Sequence, residues 1–146
     1  MIKGIIFDWV ETLSEGSRKP FSYSEKVLKE LKPKYKLGLV SLAGHGNNER
    51  REDIKISGLK SYFCSVIIET IKNSEMYLRC MKEMGTIPKT TAIVDDRTVR
   101  GIKIGNELGC ETFWVKRGPY ENELPNEETG QPTHIIKSVE DLLTIL

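Results

Sequence analysis

Short apolar segments alternate along this chain with segments whose apolar residues recur at helical spacing. The apolar segments do not alternate strictly with polar residues, which predicts strands that are buried on both faces of a sheet. Strands are predicted at residues 2–8, 36–41, 62–68, 90–95, 112–115 and 134–136. Because helical segments separate these strands, the order predicts an α/β fold with five or six parallel strands and crossover helices.

Polar capping residues and helix-stopping residues delimit the predicted helices. The helices are predicted from Ser22 or Ser24 to about residue 32, from Asn47 or Asn48 to about 57, over 74–84 with Ser74 as N-cap, over 99–108, and from 139 onward. Polar connections are predicted at residues 9–20 and 116–132. Neither a repeat nor a linker interrupts this order, so residues 1–146 are predicted to form one domain.

Composition narrows the class of protein without identifying it. Of the 146 residues, 38% are hydrophobic and 29% are charged, and the formal net charge is +1. A charge this close to zero gives no field that attracts nucleic acid or a membrane surface, so we expect neither as a partner. The three cysteines are scattered, and no signal peptide or transmembrane segment is recognisable. We therefore expect a cytoplasmic protein with reduced thiols.

Carboxylates stand at the end of two predicted strands. Asp8 ends the first strand, and Asp95 and Asp96 end the fourth. The carboxyl ends of parallel strands form the edge at which open α/β sheets bind ligands. Two adjacent aspartates at one strand end repel each other when no cation compensates them. The sequence therefore predicts a functional site around these residues.

Two long segments resemble one enzyme superfamily. Residues 2–13 read IKGIIFDWVETL, and residues 91–118 read TAIVDDRTVRGIKIGNELGCETFWVKRG. They resemble the opening motif and the later motifs of the haloacid dehalogenase-like (HAD) superfamily, and the resemblance covers nearly the whole chain. It implies a Rossmann-like doubly wound three-layer sandwich with a mostly parallel central sheet. Because the connections after strands one and three are short, we expect no cap domain.

The resemblance implies a Mg²⁺-dependent phosphatase or phosphotransferase that forms an aspartyl-phosphate. Asp8 is the implied nucleophile and one metal ligand, since an ionised carboxylate can attack phosphorus and a hard cation neutralises the charges that meet there. The other implied metal ligands are the backbone carbonyl of Val10 and the side chains of Asp96 and Asp95. A small phosphorylated molecule or a phosphoprotein is the implied partner. The sequence specifies no oligomeric state.

Four further residues receive roles from the same resemblance. Ser41, at the end of the second strand, is the implied catalytic hydroxyl that binds a phosphoryl oxygen. Thr12 and Gly44 are implied to bind substrate with it, Gly44 through the backbone of a glycine loop. Lys72 is the implied catalytic lysine, although it stands one residue beyond the family position. Two readings of Lys72 stay open, an ammonium that reaches the site and a solvated residue at a helix start.

The chain departs from the family pattern at three positions. Val10 replaces the second aspartate of the opening motif, which phosphatases use as general acid and base, and such a loss typically costs about 10²- to 10⁴-fold in rate. Glu11 replaces a glycine and lies one position from that acid, so on an extended segment it is a poor substitute unless the backbone bulges. Gly101 stands at the position where the family pattern has a second acid after the fourth strand. We therefore expect low activity and a weakened Mg²⁺ site.

Other functions compete with this hypothesis. A catalytically inactive HAD-fold module for binding or regulation explains why substitutions gather at one site while the framework motifs persist. A dinucleotide-binding protein is disfavoured because no G-x-G-x-x-G follows strand one. A response-regulator-like domain fits the fourth-strand segment poorly. The 116–132 loop has two open placements, over the site or over a neighbouring subunit.

Overall fold

A parallel sheet organises the computed structural model, which describes residues 1–44 and 47–146, with only the backbone of Asn47. The eight strands are β1 Gly4–Phe7, β2 Ser14–Glu15, β3 Lys19–Pro20, β4 Lys36–Leu42, β5 Ser65–Glu69, β6 Thr91–Asp95, β7 Glu111–Val115 and β8 His134–Ile136. Six of them form one parallel sheet in the order β5-β4-β1-β6-β7-β8, and β2 and β3 form a small antiparallel hairpin. The predicted α/β, doubly wound, mostly parallel fold is confirmed.

In the described parts of the chain, five α-helices accompany the sheet. They are α1 Ser24–Leu31, α2 Asn47–Ile56, α3 Ser74–Met84, α4 Lys103–Leu108 and α5 Leu142–Ile145. Short 3₁₀ turns lie at Lys60–Tyr62, Pro88–Thr90, Gly118–Tyr120 and Val139–Asp141, and a π-helical turn, Thr98–Ile102, precedes α4. Among the described residues, no helix is long and apolar enough to cross a membrane.

Two apolar cores lie on opposite faces of the sheet. Along β1, Ile5 and Phe7 belong to one core and Ile6 to the other, as side-chain alternation in a strand requires. The first core takes residues from α1, α2 and α5, and the second takes residues from α3 and α4. All four residues of β1 are buried. The centre of the sheet is therefore fixed by packing on both faces.

The register brings three strand ends together. Strand β1 lies between β4 and β6, and Phe7 is paired with Leu39 on one side and Val94 on the other. Residues that follow these strands therefore meet at one edge of the sheet. Between β1 and β4 lie the hairpin and α1, and β5 leads to α3 through residues 70–73. The described chain has no cap domain at either position, as predicted.

Several predicted element boundaries are wrong. The N-cap of α3 is Asn73 rather than Ser74, and the Asn73 side chain accepts a hydrogen bond from Met76 N. Neither predicted serine caps α1: Tyr23 precedes that helix, and the Ser24 hydroxyl donates to the carbonyl of Leu13. Residues 62–64 do not belong to β5, because Lys60–Tyr62 forms a 3₁₀ turn.

The glycine stop after α3 is confirmed, since Gly85 has a φ of 77°. The helix predicted at 99–108 begins with the π-helical turn. The predicted glycine loop after β4 falls partly on residues 45–46, which lie outside the described residues.

Candidate functional site

Asp8 leaves the centre of the sheet directly after β1. Its backbone N–H donates to the carbonyl of Val94, which extends the pairing with β6 by one residue. The hydroxyl of Thr12 donates to Asp8 Oδ2 at 3.1 Å, and Thr12 is buried. The turn after β1 therefore returns a hydroxyl to the carboxylate and fixes its orientation. Thr12 was predicted to bind substrate, and the contact observed for its side chain is with Asp8.

Lys72 reaches Asp8 from two strands away. It follows β5, which is separated from β1 by β4. Its Nζ donates to Asp8 Oδ1 at 2.8 Å and to Asp95 Oδ2 at 3.0 Å, and its side chain is only 3% exposed. Capping of α3 by Asn73 holds the next turn of chain. Of the two readings of Lys72, the geometry matches the ammonium that reaches the site.

Burial and charge set the protonation of this cluster. Burial works to raise the pKa of Asp8, but the charge and hydrogen bond of Lys72 outweigh it and lower the pKa below the ordinary value. Burial works to lower the pKa of Lys72, but Asp8 and Asp95 hold it well above the ordinary value. Burial and then the charges of Asp8 and Asp95 raise the pKa of Asp96 to about 10. Negative charge therefore exceeds positive charge where these groups meet.

Asp95 and Gly101 fit together sterically. Asp95 Oδ2 accepts from Gly101 N at 3.0 Å, and Asp95 Oδ1 accepts from Arg97 N at 3.0 Å. A Cβ at position 101 would lie 2.6 Å from Asp95 Cβ and closer still to its carboxylate. The Asp95 carboxylate thus occupies the space that a side chain at 101 would need. This packing explains why an aspartate at 95 accompanies a glycine at 101.

The donor set of the site suits a divalent cation. Asp8, Asp95 and Asp96 each offer a carboxylate oxygen, and these atoms lie within 4.8 Å of one another. The indole N–H of Trp114 donates to the backbone carbonyl of Asp96 at 3.0 Å, which fixes the chain beside that carboxylate. Hard carboxylate oxygens are the ligands that Mg²⁺ prefers, and a dication balances the excess negative charge. The residues present therefore fit the predicted Mg²⁺.

A cavity of about 230 Å³ opens above these groups. Asp8 and Asp96 form its acidic floor, and Lys72 lines it beside them. Arg97 and Arg100, which follow β6, add positive charge to its wall. A cavity with an acidic floor and a cationic wall suits an anion that approaches together with a metal ion.

Ser41 lies beside the cavity rather than in its lining. It is 1% exposed, its hydroxyl donates to the carbonyl of Leu42, and it accepts from Arg50 NH1 at 2.7 Å. Arg50, on α2, lines the cavity and also donates to the Leu42 carbonyl at 2.8 Å. Gly44 lines the cavity with a φ of 65°, and a Cβ there would lie 2.6 Å from Arg50 NH2. The predicted phosphoryl-binding strand end therefore presents an arginine.

The turn after β1 carries Val10 and Glu11, the two positions at which the opening motif departs from the family pattern. Val10 lines the cavity. Its apolar side chain stands at the position where the family pattern has the general acid. Glu11 also lines the cavity and has a φ of 62°, a left-handed conformation that explains the glycine of the family pattern. Its carboxylate accepts from Gly16 N at 2.9 Å and pairs with Arg117 at 3.3 Å. Glu11 therefore anchors the turn.

The 116–132 loop reaches the cavity of its own chain. Tyr120 lines the cavity, and the guanidinium of Arg97 lies 3.7 Å from its ring centroid. Glu123 accepts from Arg97 and from the N–H of Thr98, so it ties the loop to the turn before α4. Of the two predicted placements, the described loop takes the one beside the site.

Sequence reasoning missed the arginines and the tyrosine of the cavity wall. Arg50 and Arg100 follow β4 and β6, the two strands that flank β1, so strand order combined with position after a strand would have identified them. Tyr120 lies on an irregular loop, and no periodic pattern marks its direction.

Comparisons with known proteins identify the family. A family model described as haloacid dehalogenase-like hydrolase matches residues 1–115. A glyceraldehyde 3-phosphate phosphatase from Methanopyrus kandleri is 26% identical over 117 residues, which cover 77% of this chain and 49% of that protein. The chain thus spans about half the length of that relative.

Two solved structures have the same fold. The magnesium-bound HAD-hydrolase YfnB from Bacillus subtilis is 21% identical, with a TM-score of 0.72, and the match covers 90% of this chain and 57% of that one. L-2-haloacid dehalogenase from Xanthobacter autotrophicus is 13% identical, with a TM-score of 0.77, and the match covers 99% and 98%. At these identities the likeness shows the fold alone.

Proposed function

Because this chain belongs to the haloacid dehalogenase-like hydrolase family, we propose that it hydrolyses phosphate monoesters through an aspartyl-phosphate at Asp8. The observation that carries the proposal is the Lys72 ammonium, which hydrogen-bonds Asp8 and Asp95 together beneath the cavity. This contact keeps Asp8 ionised, as a carboxylate nucleophile requires. The 26% identity to a phosphatase supports a phosphate ester as the substrate.

The reaction has two steps. A carboxylate oxygen of Asp8 bonds to phosphorus while the bond from phosphorus to the ester oxygen breaks, and the leaving oxygen takes a proton from solvent water, because Val10 supplies none. Water then attacks the acyl phosphate, which releases inorganic phosphate and restores the carboxylate. Lys72 offsets charge on the transferred group, and Thr12 holds the other Asp8 oxygen away from it.

Mg²⁺ completes the proposed site. Asp8, Asp96 and the carbonyl of Val10 are its proposed ligands, with Asp95 orienting Lys72 beside it. When bound, Mg²⁺ neutralises charge between the carboxylates and the phosphoryl group. The YfnB structure, which contains magnesium, supports this choice of metal by analogy.

We expect slow turnover, because the apolar side chain of Val10 can neither protonate the leaving oxygen nor activate water. A small phosphorylated molecule is the favoured substrate, since the cavity measures about 230 Å³. A phosphoprotein is the second candidate, because the described chain has no cap to exclude one. The cytoplasmic location stays a prediction that rests on the free cysteines.

Hydrolysis of p-nitrophenyl phosphate tests the proposal directly. We expect Mg²⁺-dependent release of p-nitrophenol that stops on addition of EDTA and falls by at least about 10³-fold in Asp8→Asn. Asp53→Asn is the matched control, since Asp53 pairs with Arg18 away from the cavity. Equal rates for the wild type and Asp8→Asn would refute the assigned nucleophile.

An inactive binding module is the alternative function, and the apolar Val10 in the cavity wall favours it. Beryllofluoride, a mimic of the phosphoryl group on aspartate, separates the alternatives in combination with the rate. Binding of the mimic without turnover of any phosphate ester supports the module, and binding with turnover supports the hydrolase.

A further inference from the structure

The cations of the cavity wall differ in whether a carboxylate already neutralises them. Lys72 is shared between Asp8 and Asp95, and Arg97 is paired with Glu123 at 2.9 Å. Arg50 and Arg100 have no carboxylate within ion-pair distance among the described residues. Both nevertheless line the cavity, and Arg50 is only 8% exposed. Two guanidinium groups without an ion-pair partner at one small cavity suit a ligand that brings several negative charges.

Strand order places these two arginines on opposite sides of Asp8. Arg50 belongs to α2, which follows β4, and Arg100 belongs to the turn that follows β6. Since β4 and β6 are the two neighbours of β1, one arginine lies on each flank of the strand that ends at Asp8. With Lys72 on Asp8 and Arg50 on the β4 flank, a phosphoryl group on Asp8 has two cationic partners, and Arg100 on the β6 flank is available to a further anionic group.

The two arginines also differ in how they are held. Arg50 donates through NH1 to Ser41 and to the Leu42 carbonyl, so its guanidinium is fixed at the strand end predicted to bind the phosphoryl group. These two hydrogen bonds also orient the remaining N–H groups of the guanidinium. Arg100 lies three residues before the Lys103–Leu108 helix, is half-buried, and lines the cavity together with Asp96. Arg50 is therefore placed for the phosphoryl group and Arg100 for a second anion.

We propose that the substrate is a small phosphate monoester whose carbon skeleton carries a second anionic group, which Arg100 binds. This inference rests on the proposed function and specifies its substrate class. The cavity volume of about 230 Å³ suits a skeleton of a few carbon atoms. Tyr120, stacked on Arg97, closes the adjacent wall and leaves Arg100 as the available guanidinium on that flank.

Binding of non-hydrolysable phosphonates tests the inference without turnover. Phosphonoacetate and phosphonoacetamide differ in one charge and hardly in size. By calorimetry at a fixed free Mg²⁺ concentration, we expect the wild type to bind phosphonoacetate about 10-fold or more tightly, the range of a charge-assisted hydrogen bond. Methylenediphosphonate provides the corresponding comparison for a second phosphoryl group in place of a carboxylate.

Two variants assign the preference to Arg100. In Arg100→Gln we expect the affinity ratio of the two phosphonates to fall to about 2-fold or less, since the amide keeps length but loses charge. Arg79→Gln, which changes an exposed arginine paired with Glu69, should keep the wild-type ratio. Equal wild-type affinities for charged and uncharged probes, or a preference that survives in Arg100→Gln, would overturn the inference.

Failure of this inference is distinguishable from failure of the proposed function. Hydrolysis of p-nitrophenyl phosphate without a charge preference among the phosphonates rejects the substrate class and retains the hydrolase. A charge preference that depends on Arg100 without hydrolysis retains the second-anion site and rejects turnover. No binding of any phosphonate rejects the second-anion site.

Discussion

The β6 flank and the hairpin flank of Asp8 both depart from the HAD pattern, but only on the β6 flank does another carboxylate lie where the missing side chain would project. On the β6 flank, Gly101 lacks the expected acid, and the Asp95 carboxylate lies where a side chain at 101 would project. On the hairpin flank, Val10 lacks the expected acid, and the nearby carboxylate of Glu11 is bound to the turn. The missing carboxylate is therefore replaced in space on the β6 flank but not on the hairpin flank.

An acid at position 10 would remove the difference between the two flanks of Asp8. We expect Val10→Asp to raise the rate of p-nitrophenyl phosphate hydrolysis by about 10²- to 10⁴-fold, because it returns a general acid and base to the cavity wall. Val10→Asn, which matches the size without the acid, should give no such gain. An unchanged rate in Val10→Asp would mean that the hairpin flank lacks more than the carboxyl group.

Removing Lys72 tests the buried ion cluster that it forms with Asp8 and Asp95. We expect Lys72→Met to lower the free energy of unfolding by about 3–5 kcal/mol, because Asp8 and Asp95 stay buried without their cation. Urea denaturation in metal-free buffer measures the loss, and Asp95→Asn on the Lys72→Met background should recover part of it. The exposed Lys82→Met is the control, expected to stay within about 0.5 kcal/mol. Equal stability of both lysine variants would contradict the buried ion cluster.

Exchanging the residues at positions 95 and 101 tests whether their side chains occupy the same space. Gly101→Asp alone should destabilise the fold by about 1–3 kcal/mol, because its side chain meets the Asp95 carboxylate. Asp95→Gly combined with Gly101→Asp restores the family arrangement and should be more stable than the sum of the single changes by about 1 kcal/mol or more. Urea denaturation of the four proteins completes the cycle. Additive effects would show that the two positions do not share one space.

The backbone at Glu11 gives the smallest expected effect. Its φ of 62° favours glycine, so Glu11→Gly should be about 1 kcal/mol more stable than Glu11→Ala. Both variants lose the contacts with Gly16 and Arg117, so their difference isolates the backbone cost. Thermal unfolding of the two variants measures this difference in stability. Identical stabilities would mean that the turn takes another backbone conformation in Glu11→Ala.

Local pattern was enough to predict most of the fold. Buried parallel strands are marked by apolar runs, and the end of α3 is marked by Gly85, because both depend on nearby residues. The start of α3 was mispredicted because Asn73 and Ser74 are both good capping residues. Only the geometry of the preceding turn decides which side chain accepts from Met76 N.

The site was less accessible to prediction than the fold. Asp8 and Asp96 follow from their positions at strand ends, but the reach of Lys72 depends on how residues 70–73 cross the end of β4. The fit between Asp95 and Gly101 is a matter of distance across a turn, which spacing along the chain does not reveal. Arg50 and Arg100 were missed because nothing in the local sequence separates them from solvent-exposed cations. The functional roles of all these residues remain predictions.

Both tryptophans of the chain stand at the edge of this site. Trp9 directly follows Asp8, Trp114 hydrogen-bonds the Asp96 carbonyl, and both indoles are almost fully buried. The electric field of an arriving dication or phosphate therefore falls on the only two indole fluorophores of the protein. The fold thus carries an intrinsic optical reporter, and binding at the aspartates can be followed in unlabelled protein by its ultraviolet emission.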